Sequence, residues 1–282
     1  IAALKAIEDG KNPLLLVLSS DHVISNKKNL INALEMGKKY ASQGRLVTFG
    51  IKPGYPETGY GYIESLKSLN SLHQGSDIKR FVEKPSLKKA KEYIKNKNFL
   101  WNSGIFLFKA NDILSEIKEF QPKIIENCQR SLNSSKMDLD FERIEIKNFS
   151  NCENISLDIA VMEKTNLGTV IPIDIGWRDI GSWNQLWDYS TKDKLGNASK
   201  GNIILENSKN CFFRSEGRLI VGIDLEDIIV VETSDSVLVV NKNKSQKIKK
   251  VVENLKNKNY KESYEHSKVY RPWGYFTTLS ED

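Results

Sequence analysis

Cysteine is scarce: three residues in 282. Cys128, Cys152 and Cys211 are odd in number, far apart and without C-x-x-C spacing, so neither a disulfide framework nor a zinc site is indicated, and buried free thiols are expected. No apolar run is long enough to span a membrane, and the opening residues IAALKAIEDGKNP do not have the make-up of a signal peptide. A cytoplasmic protein with no membrane partner is therefore expected. The chain also lacks arginines and aromatics interleaved on one face. Its formal charge of +6 comes largely from lysines scattered among asparagines, the pattern of solvated helix faces rather than of a nucleic-acid partner. What remains is ordinary: 39% hydrophobic and 28% charged residues, in a length that allows one large domain and a smaller one.

The most informative stretch is Asp77 to Lys109, DIKRFVEKPSLKKAKEYIKNKNFLWNSGIFLFK. Ile78 to Val82 reads as a strand, which must end at Glu83-Lys84-Pro85 because proline has no N–H to continue a ladder. Ser86 suits a helix N-cap, and Leu87, Ala90 and Ile94 recur at helical spacing with lysines outside them. Gly104 to Phe108 reads as the next strand. In α/β sheets, ligands bind beyond the carboxyl ends of strands, which puts Glu83 and Lys84 at the rim of a cleft. A carboxylate can accept from sugar hydroxyls, and an ammonium can meet a phosphate. The same dipeptide also reads as a plain surface pair before a proline turn. Asn102-Ser103-Gly104 adds an amide that donates and accepts, and a glycine that lets a ligand approach the backbone.

FVEKP followed after a short helix by WNSGIFLF resembles the signature of sugar-1-phosphate nucleotidylyltransferases, with WNSGIF nearest to the mannose-1-phosphate guanylyltransferases. The resemblance implies an α/β fold: a Rossmann-like, glycosyltransferase-A-like mixed sheet with flanking helices, followed by a small left-handed parallel β-helix. The expected division is 1–194 for the nucleotidyltransferase domain, 195–258 for the β-helix with a closing helix, and 259–282 for a linker and the start of a further domain.

Several segments can be set against this. Leu14 to Leu18, LLLVL, has the continuous apolar character of a fully buried parallel strand and ends near Asp21, a carboxylate at the cleft rim or a turn cap. A helix from about Lys27 to Ala41, an exit at Gly44 and a strand at Leu46 to Ile51 imply a right-handed parallel layer. Thr58-Gly59-Tyr60-Gly61 opens backbone to close approach, and in the family a TGYGYI segment lines the sugar-nucleotide cleft. Two helices broken at Gln121-Pro122 carry apolar faces for packing. Ser156 to Lys164 resembles the family's SIDYAVMEK segment; Asp158, Glu163 and Lys164 would help shape the sugar side, though a plain helix explains them as well.

Trp177 to Trp183 matches the family's W-x-D-x-G-x-W motif, whose aspartate, here Asp179, is a metal ligand. Arg178 stands where the family usually has a small polar residue. Ser182 and Gln185 have capping-box spacing, so Asp179 is expected in a loop just before a helix. Beyond Leu195, apolar triplets from Ile203 to Val239 alternate with polar turns, as in a coil of short strands. A helix from about Ser245 to Leu255 would close it. Tyr270 to Phe276 resembles the opening of the phosphomannose-isomerase domain fused to type II guanylyltransferases.

Nucleotidyl transfer joins two anionic reactants, so a hard cation such as Mg²⁺ is expected between carboxylates, with Asp21 and Asp179 as its ligands. With GTP and mannose 1-phosphate as substrates, the resemblance implies that Lys84 holds the sugar phosphate and that Glu83 and Asn102 bind mannose hydroxyls, while Gly61 and Gly104 let backbone close on the ligand. His22 reads as a structural neighbour of Asp21. The family's opening G-x-G-x-R-L-x-P-L-S loop does not occur here, and the chain is expected to start inside the nucleotide-binding half. Two alternatives stay open: a non-catalytic sugar-nucleotide-binding protein without that loop, and the same enzyme class acting on another hexose 1-phosphate. Exposed strand edges would favour a homo-oligomer.

Overall fold

The structure, a computed structural model, describes residues 1–69, 74–264, 268–271 and 274–277. Contacts gather the chain into two compact units, Ile1–Arg178 and Asp179–Asp282.

In the first unit a short helix α1 (Ala2–Ala6) precedes strands β1 (Leu14–Val17) and β2 (His22–Ile24), helix α2 (Lys27–Ser42) and strands β3 (Leu46–Ile51), β4 (Tyr62–Ser65) and β5 (Ser76–Val82). Then follow α3 (Leu87–Tyr93), β6 (Phe99–Lys109), α4 (Ala110–Phe120), α5 (Pro122–Asn133), a small hairpin of β7 (Lys136–Asp138) and β8 (Phe141–Arg143), α6 (Ile146–Phe149), a single wide turn at Asp158–Met162 and β9 (Gly168–Ile173). The sheet order is β1-β6-β3-β9-β5-β4, with a further β6–β4 pairing.

The sheet is mixed. β3 and β9 run parallel, whereas β6 is antiparallel to β1, β3 and β4. β1 and β3 thus point the same way, as the strand-helix-strand reading requires, but β6 lies between them. The expectation of a fully buried parallel β1 is corrected: β1 is an edge strand paired antiparallel to β6, and Leu16, Val17 and Leu18 are 41–50% exposed. An apolar run shows that a strand can be buried, not that a neighbour covers it.

Period-two alternation builds two apolar layers on this sheet. Leu46, Phe106 and Val170 face one cluster, with Ile113 of α4 and with Val161 and Met162 of the wide turn. Their neighbours Val47, Leu107 and Ile171 face the other, with Ala33 and Ala41 of α2. Gly37 brings α2 close to the sheet, since a Cβ there would lie 3.0 Å from Leu107 and 3.1 Å from Phe49. Asn26 caps α2 by accepting from the Asn29 N–H at 3.0 Å. In α3, Ala90 and Tyr93 are the buried residues, while Leu87 and Ile94, expected to face inward, are 51% and 36% exposed.

The second unit begins at the last residue of β10 (Trp177–Asp179). It continues through α7 (Trp183–Tyr189), β11 (Ala198–Lys200), β12 (Ile203–Glu206), β13 (Phe212–Ser215), β14 (Ile220–Ile223), β15 (Ile228–Glu232), β16 (Val237–Asn241) and α8 (Ile248–Asn257) to a hairpin of β17 (Lys268–Arg271) and β18 (Gly274–Thr277). β11, β13 and β15 stack in parallel, and so do β12 and β14. This is a parallel coil with strands stacked on separate faces.

Its corners repeat: Asn207 and Asn210 have left-handed φ values of 49° and 55°, and one rung later Asp224 and Asp227 both have 54°. Asn and Asp tolerate that conformation better than other side-chain-bearing residues, which is why they stand at the bends. Val237–Asn241, expected as another rung, runs antiparallel to β15 and ends the coil. α7 packs Trp183, Leu186 and Trp187 on Phe212, Ile229 and Val231. The expected closing helix forms as α8, with none of its residues buried and Val251 53% exposed. Of the tail motif, Pro272 and Trp273 lie outside the described residues. Among the described residues no helix is long and apolar enough to cross a membrane.

Candidate active site

Every expected site residue except Asp179 belongs to the first unit, where the antiparallel course of β6 decides the geometry. Trp101 is the register partner both of Ile51, the last residue of β3, and of Tyr62, the first of β4. Tyr62 pairs in turn with Val82 at the end of β5. The early half of β6 therefore shares one edge of the sheet with the ends of β3 and β5. The structure corrects the placement of Asn102 at a strand mouth: β6 starts at Phe99, and Asn102 lies within it. Gly104 follows at φ 67°, and the β3–β6 register shifts between Thr48 and Gly50. Glycine is suited to that irregularity because it adopts positive φ without a Cβ penalty.

Asn102 is the centre of a hydrogen-bonded group. Its Oδ1 accepts from the buried Thr48 hydroxyl and from the Gly104 N–H, both at 3.2 Å. Its Nδ2 therefore faces Asp158 and donates to Oδ1 at 2.7 Å. Burial pushes the Asp158 carboxyl above its ordinary value, against the Asn102 and Ser156 hydrogen bonds. Glu83 is raised too, first by burial and then by the nearby Asp158 charge, with Lys84 opposing. The Lys84 ammonium lies 3.6 Å from Glu83 Oε1 and is itself mostly exposed. A Cβ on Gly61 would come within 2.5 Å of Glu83 Oε2, so a glycine is what lets that carboxylate lie against the loop. Gly61, Glu83, Lys84, Asn102 and Asp158 are thus brought together.

The other expected residues stand differently. Thr58 and Gly59 donate their N–H groups to the Glu57 carboxylate at 2.9 and 2.8 Å, so these two amides serve the loop's own fold rather than a ligand. Tyr60 lies edge-on to Trp101 and to Trp177, at centroid distances of 5.4 and 5.2 Å. Trp177 continues to His22, donating from Nε1 to His22 Nδ1 at 3.2 Å, and Tyr55 adds to Trp101 at the far end. Sequence reasoning missed this aromatic chain, because its members are dispersed and only ring geometry connects them.

Asp21, in the turn before β2, is 58% exposed, with Oδ1 3.9 Å from His22 Nε2. His22 Cε1 would lie 3.3 Å from a Cβ on Gly104, which links Asp21 to the Asn102 group through His22. In the second unit, Asp179 ends β10 and accepts from the Gly181 N–H at 2.7 Å, and Ser182 caps α7 as expected, accepting from the Gln185 N–H. Among the described residues no three His, Cys, Asp or Glu side chains gather around one point. The donors on offer are isolated carboxylates, which suit a hard cation completed by phosphate and water rather than a closed protein cage.

A mixed sheet edge carrying carboxylates, an exposed lysine and an amide, followed in the chain by a parallel coil, is the architecture of a nucleotidyl transferase domain followed by a β-helix domain. The chain belongs to the nucleotidyl transferase family, whose model matches residues 1–195, and a MannoseP isomerase/GMP-like β-helix domain matches residues 201–255. It is similar to a mannose-1-phosphate guanylyltransferase of Klebsiella pneumoniae, with 43% identity over 97% of this chain and 58% of that protein. Xanthan biosynthesis protein XanB of Xanthomonas campestris pv. campestris is 44% identical over 99% of this chain and 59% of that protein. The chain thus spans about three-fifths of the length of these curated relatives.

Among solved structures, one from Thermus thermophilus described as mannose-1-phosphate geranyltransferase aligns with a TM-score of 0.74 and 27% identity, covering 90% of this chain and 72% of that one. A Helicobacter pylori structure described as mannose-6-phosphate isomerase aligns with a TM-score of 0.56 and 37% identity, over 63% of this chain and 68% of that one.

Proposed function

We propose that this chain supplies the nucleotidyl-transfer part of a mannose-1-phosphate guanylyltransferase: GMP passes from GTP to α-D-mannose 1-phosphate, giving GDP-mannose and pyrophosphate for polysaccharide or glycoconjugate precursors. The observation that carries this reading is the group Gly61, Glu83, Lys84, Asn102 and Asp158 at one sheet edge. It offers acceptors for sugar hydroxyls beside one exposed cation for a phosphate. The names of the relatives supply the choice of mannose and of guanylyl transfer. A cytoplasmic setting belongs to the same proposal.

In this reading a phosphate oxygen of mannose 1-phosphate attacks the α-phosphorus of GTP, and pyrophosphate leaves. No protein nucleophile is needed, so the residues act by position and charge. Lys84 meets the sugar phosphate, and its charge lowers the repulsion between two anions. Glu83 and Asp158, both raised by burial, accept from sugar hydroxyls. Asn102, whose oxygen is held by Thr48 and Gly104, turns its amide to Asp158 and keeps that carboxylate in place. A divalent cation, proposed to be Mg²⁺ held with Asp21 and with Asp179, would neutralise charge on the α-phosphate.

Pyrophosphate release by the intact gene product, with GTP, Mg²⁺ and either mannose 1-phosphate or glucose 1-phosphate, tests the reading. Turnover favouring mannose 1-phosphate is expected. Preference for glucose 1-phosphate would move the assignment to another hexose, and binding of sugar nucleotide without any turnover would favour a non-catalytic protein. Asp21→Asn and Asp179→Asn should each lower turnover at fixed Mg²⁺ and regain part of it as Mg²⁺ is raised.

A further inference from the structure

We propose that Glu163 is a positioning residue that fixes the Glu83–Lys84 joint for the sugar phosphate, through the wide turn it shares with Asp158. The inference rests on the reading that Lys84 receives that phosphate.

The turn Asp158–Met162 is closed by the Glu163 N–H donating to the Asp158 carbonyl at 2.9 Å, a bond across five residues. In an ordinary α-helix, side chains five positions apart diverge by about 140°. Widening the turn brings the two carboxylates closer to one face, and such single π-turns recur at functional sites. Here each end reaches a different strand. Asp158 takes the Asn102 amide of β6 at 2.7 Å, and Glu163 Oε1 takes the Glu83 N–H, just past the end of β5, at 2.9 Å. Ala160, Val161 and Met162 between them are buried in the core, so the turn is anchored.

The bond to Glu83 falls where it has most leverage. The β5 strand ends at Val82, and Pro85 prevents the ladder from resuming. Lys84 has φ 45°, a left-handed conformation uncommon for a side-chain-bearing residue and one that persists only where its surroundings enforce it. Glu163 fixes the peptide plane one residue upstream of that bend, and so the direction in which the Lys84 stem departs. Glu163 is an exposed residue with no place in the apolar core. Its removal should therefore disturb the joint rather than the fold.

The test compares wild type, Glu163→Ala and Glu163→Gln in the intact gene product. It reads kcat, KM for each substrate, Tm, and amide hydrogen exchange at Glu83 by NMR. Glu163→Ala should raise KM for mannose 1-phosphate about tenfold, leaving KM for GTP and Tm nearly unchanged. Glu163→Gln should stay near wild type, because its amide oxygen can still accept the Glu83 N–H. Exchange at Glu83 should be slow in wild type and Gln, and fast in Ala. Equal rises in both KM values together with a fall in Tm would show a general structural role and overturn the proposal. Unchanged Glu83 exchange in Ala would overturn it as well. If no form turns over, the functional reading fails, while the exchange comparison still decides whether Glu163 holds the joint.

Discussion

Two carboxylates, one in each unit, are taken from water and titrate in opposite directions. Asp158 in the first unit is pushed up by burial against hydrogen bonds from its own N–H, the Asn102 amide and the Ser156 hydroxyl. Glu232 in the second is also shielded, which alone would raise it, yet it is held at about 2 against an ordinary 4.5. The Ser215 hydroxyl, the N–H groups of Glu216, Gly217 and Arg218 and the Arg218 guanidinium all donate to it. Burial is common to both, and the supply of donors differs. Glu64 in the first unit sharpens the point: burial raises it, but Lys79 and Arg80 outweigh that and hold it low. A buried carboxylate rich in donors is a structural fastener. One with fewer donors and no guanidinium, at a sheet edge, stays raised, and in the proposed function a sugar hydroxyl is a further donor to it.

The comparison can be broken most forcefully in the second unit. Gly201 has φ 105°, and a Cβ there would lie 2.2 Å from the Ser215 carbonyl oxygen, a backbone atom that cannot step aside. Gly201→Ala should cost about 3 kcal/mol or more, read as a loss of denaturation midpoint. Lys84→Ala should do the reverse, lowering kcat/KM for mannose 1-phosphate about 100-fold with Tm unchanged, since its ammonium is mostly exposed. A fall in Tm with intact turnover would make Lys84 structural and remove the distinction.

Glu232→Gln should lower Tm at neutral pH by less than Gly201→Ala, because the amide keeps one acceptor oxygen but loses the charge that its donors address. The pH dependence has a definite sign. Glu232 has a depressed folded-state value, so its stabilisation is complete above about 4.5 and is lost as pH falls from there through about 2. Acid unfolding of wild type and Glu232→Gln should converge in that window. Parallel curves down to pH 2 would show that the Ser215–Arg218 turn does not depend on the charge.

Much of this was legible in the residues. Proline at 85 and serine at 86 were sufficient to locate the end of β5 and the start of α3, whereas the apolar spacing misplaced the inward face, since Leu87 and Ile94 are exposed. Ser182 was readable as a cap from its capping-box spacing with Gln185. What stayed hidden needed partners distant in sequence. LLLVL could not disclose that β1 lies at an edge, because an apolar strand is the same sequence with or without a neighbour. The wide turn at Asp158–Met162 was read as a plain helix, being too short for any period to show. Nor could spacing show that Thr58 and Gly59 spend their amides on Glu57, or that Tyr55, Trp101, Tyr60, Trp177 and His22 form one chain of rings. One overlooked signal was available: the recurrence of Asn and Asp at 207, 210, 224 and 227, where left-handed corners repeat from rung to rung.

The smallest expected effect is the most discriminating, because it predicts loss of function together with a gain in stability. Asp158→Asn keeps an oxygen able to accept from Asn102 Nδ2 and removes a charge that burial disfavours. A carboxyl raised in the folded state costs stability as pH climbs from its ordinary 3.8 through its folded-state value, and costs nothing below. The Asn variant should therefore match wild type near pH 3 and exceed it slightly in Tm at pH 7, while turnover falls because a sugar hydroxyl has lost a charged acceptor. Thermal melts of both forms from pH 3 to 8 measure this directly. A variant less stable than wild type at pH 7 would mean that the Asp158 charge is needed by the fold, which would place it with Glu232 among the fasteners and leave Glu83 as the acceptor at this edge.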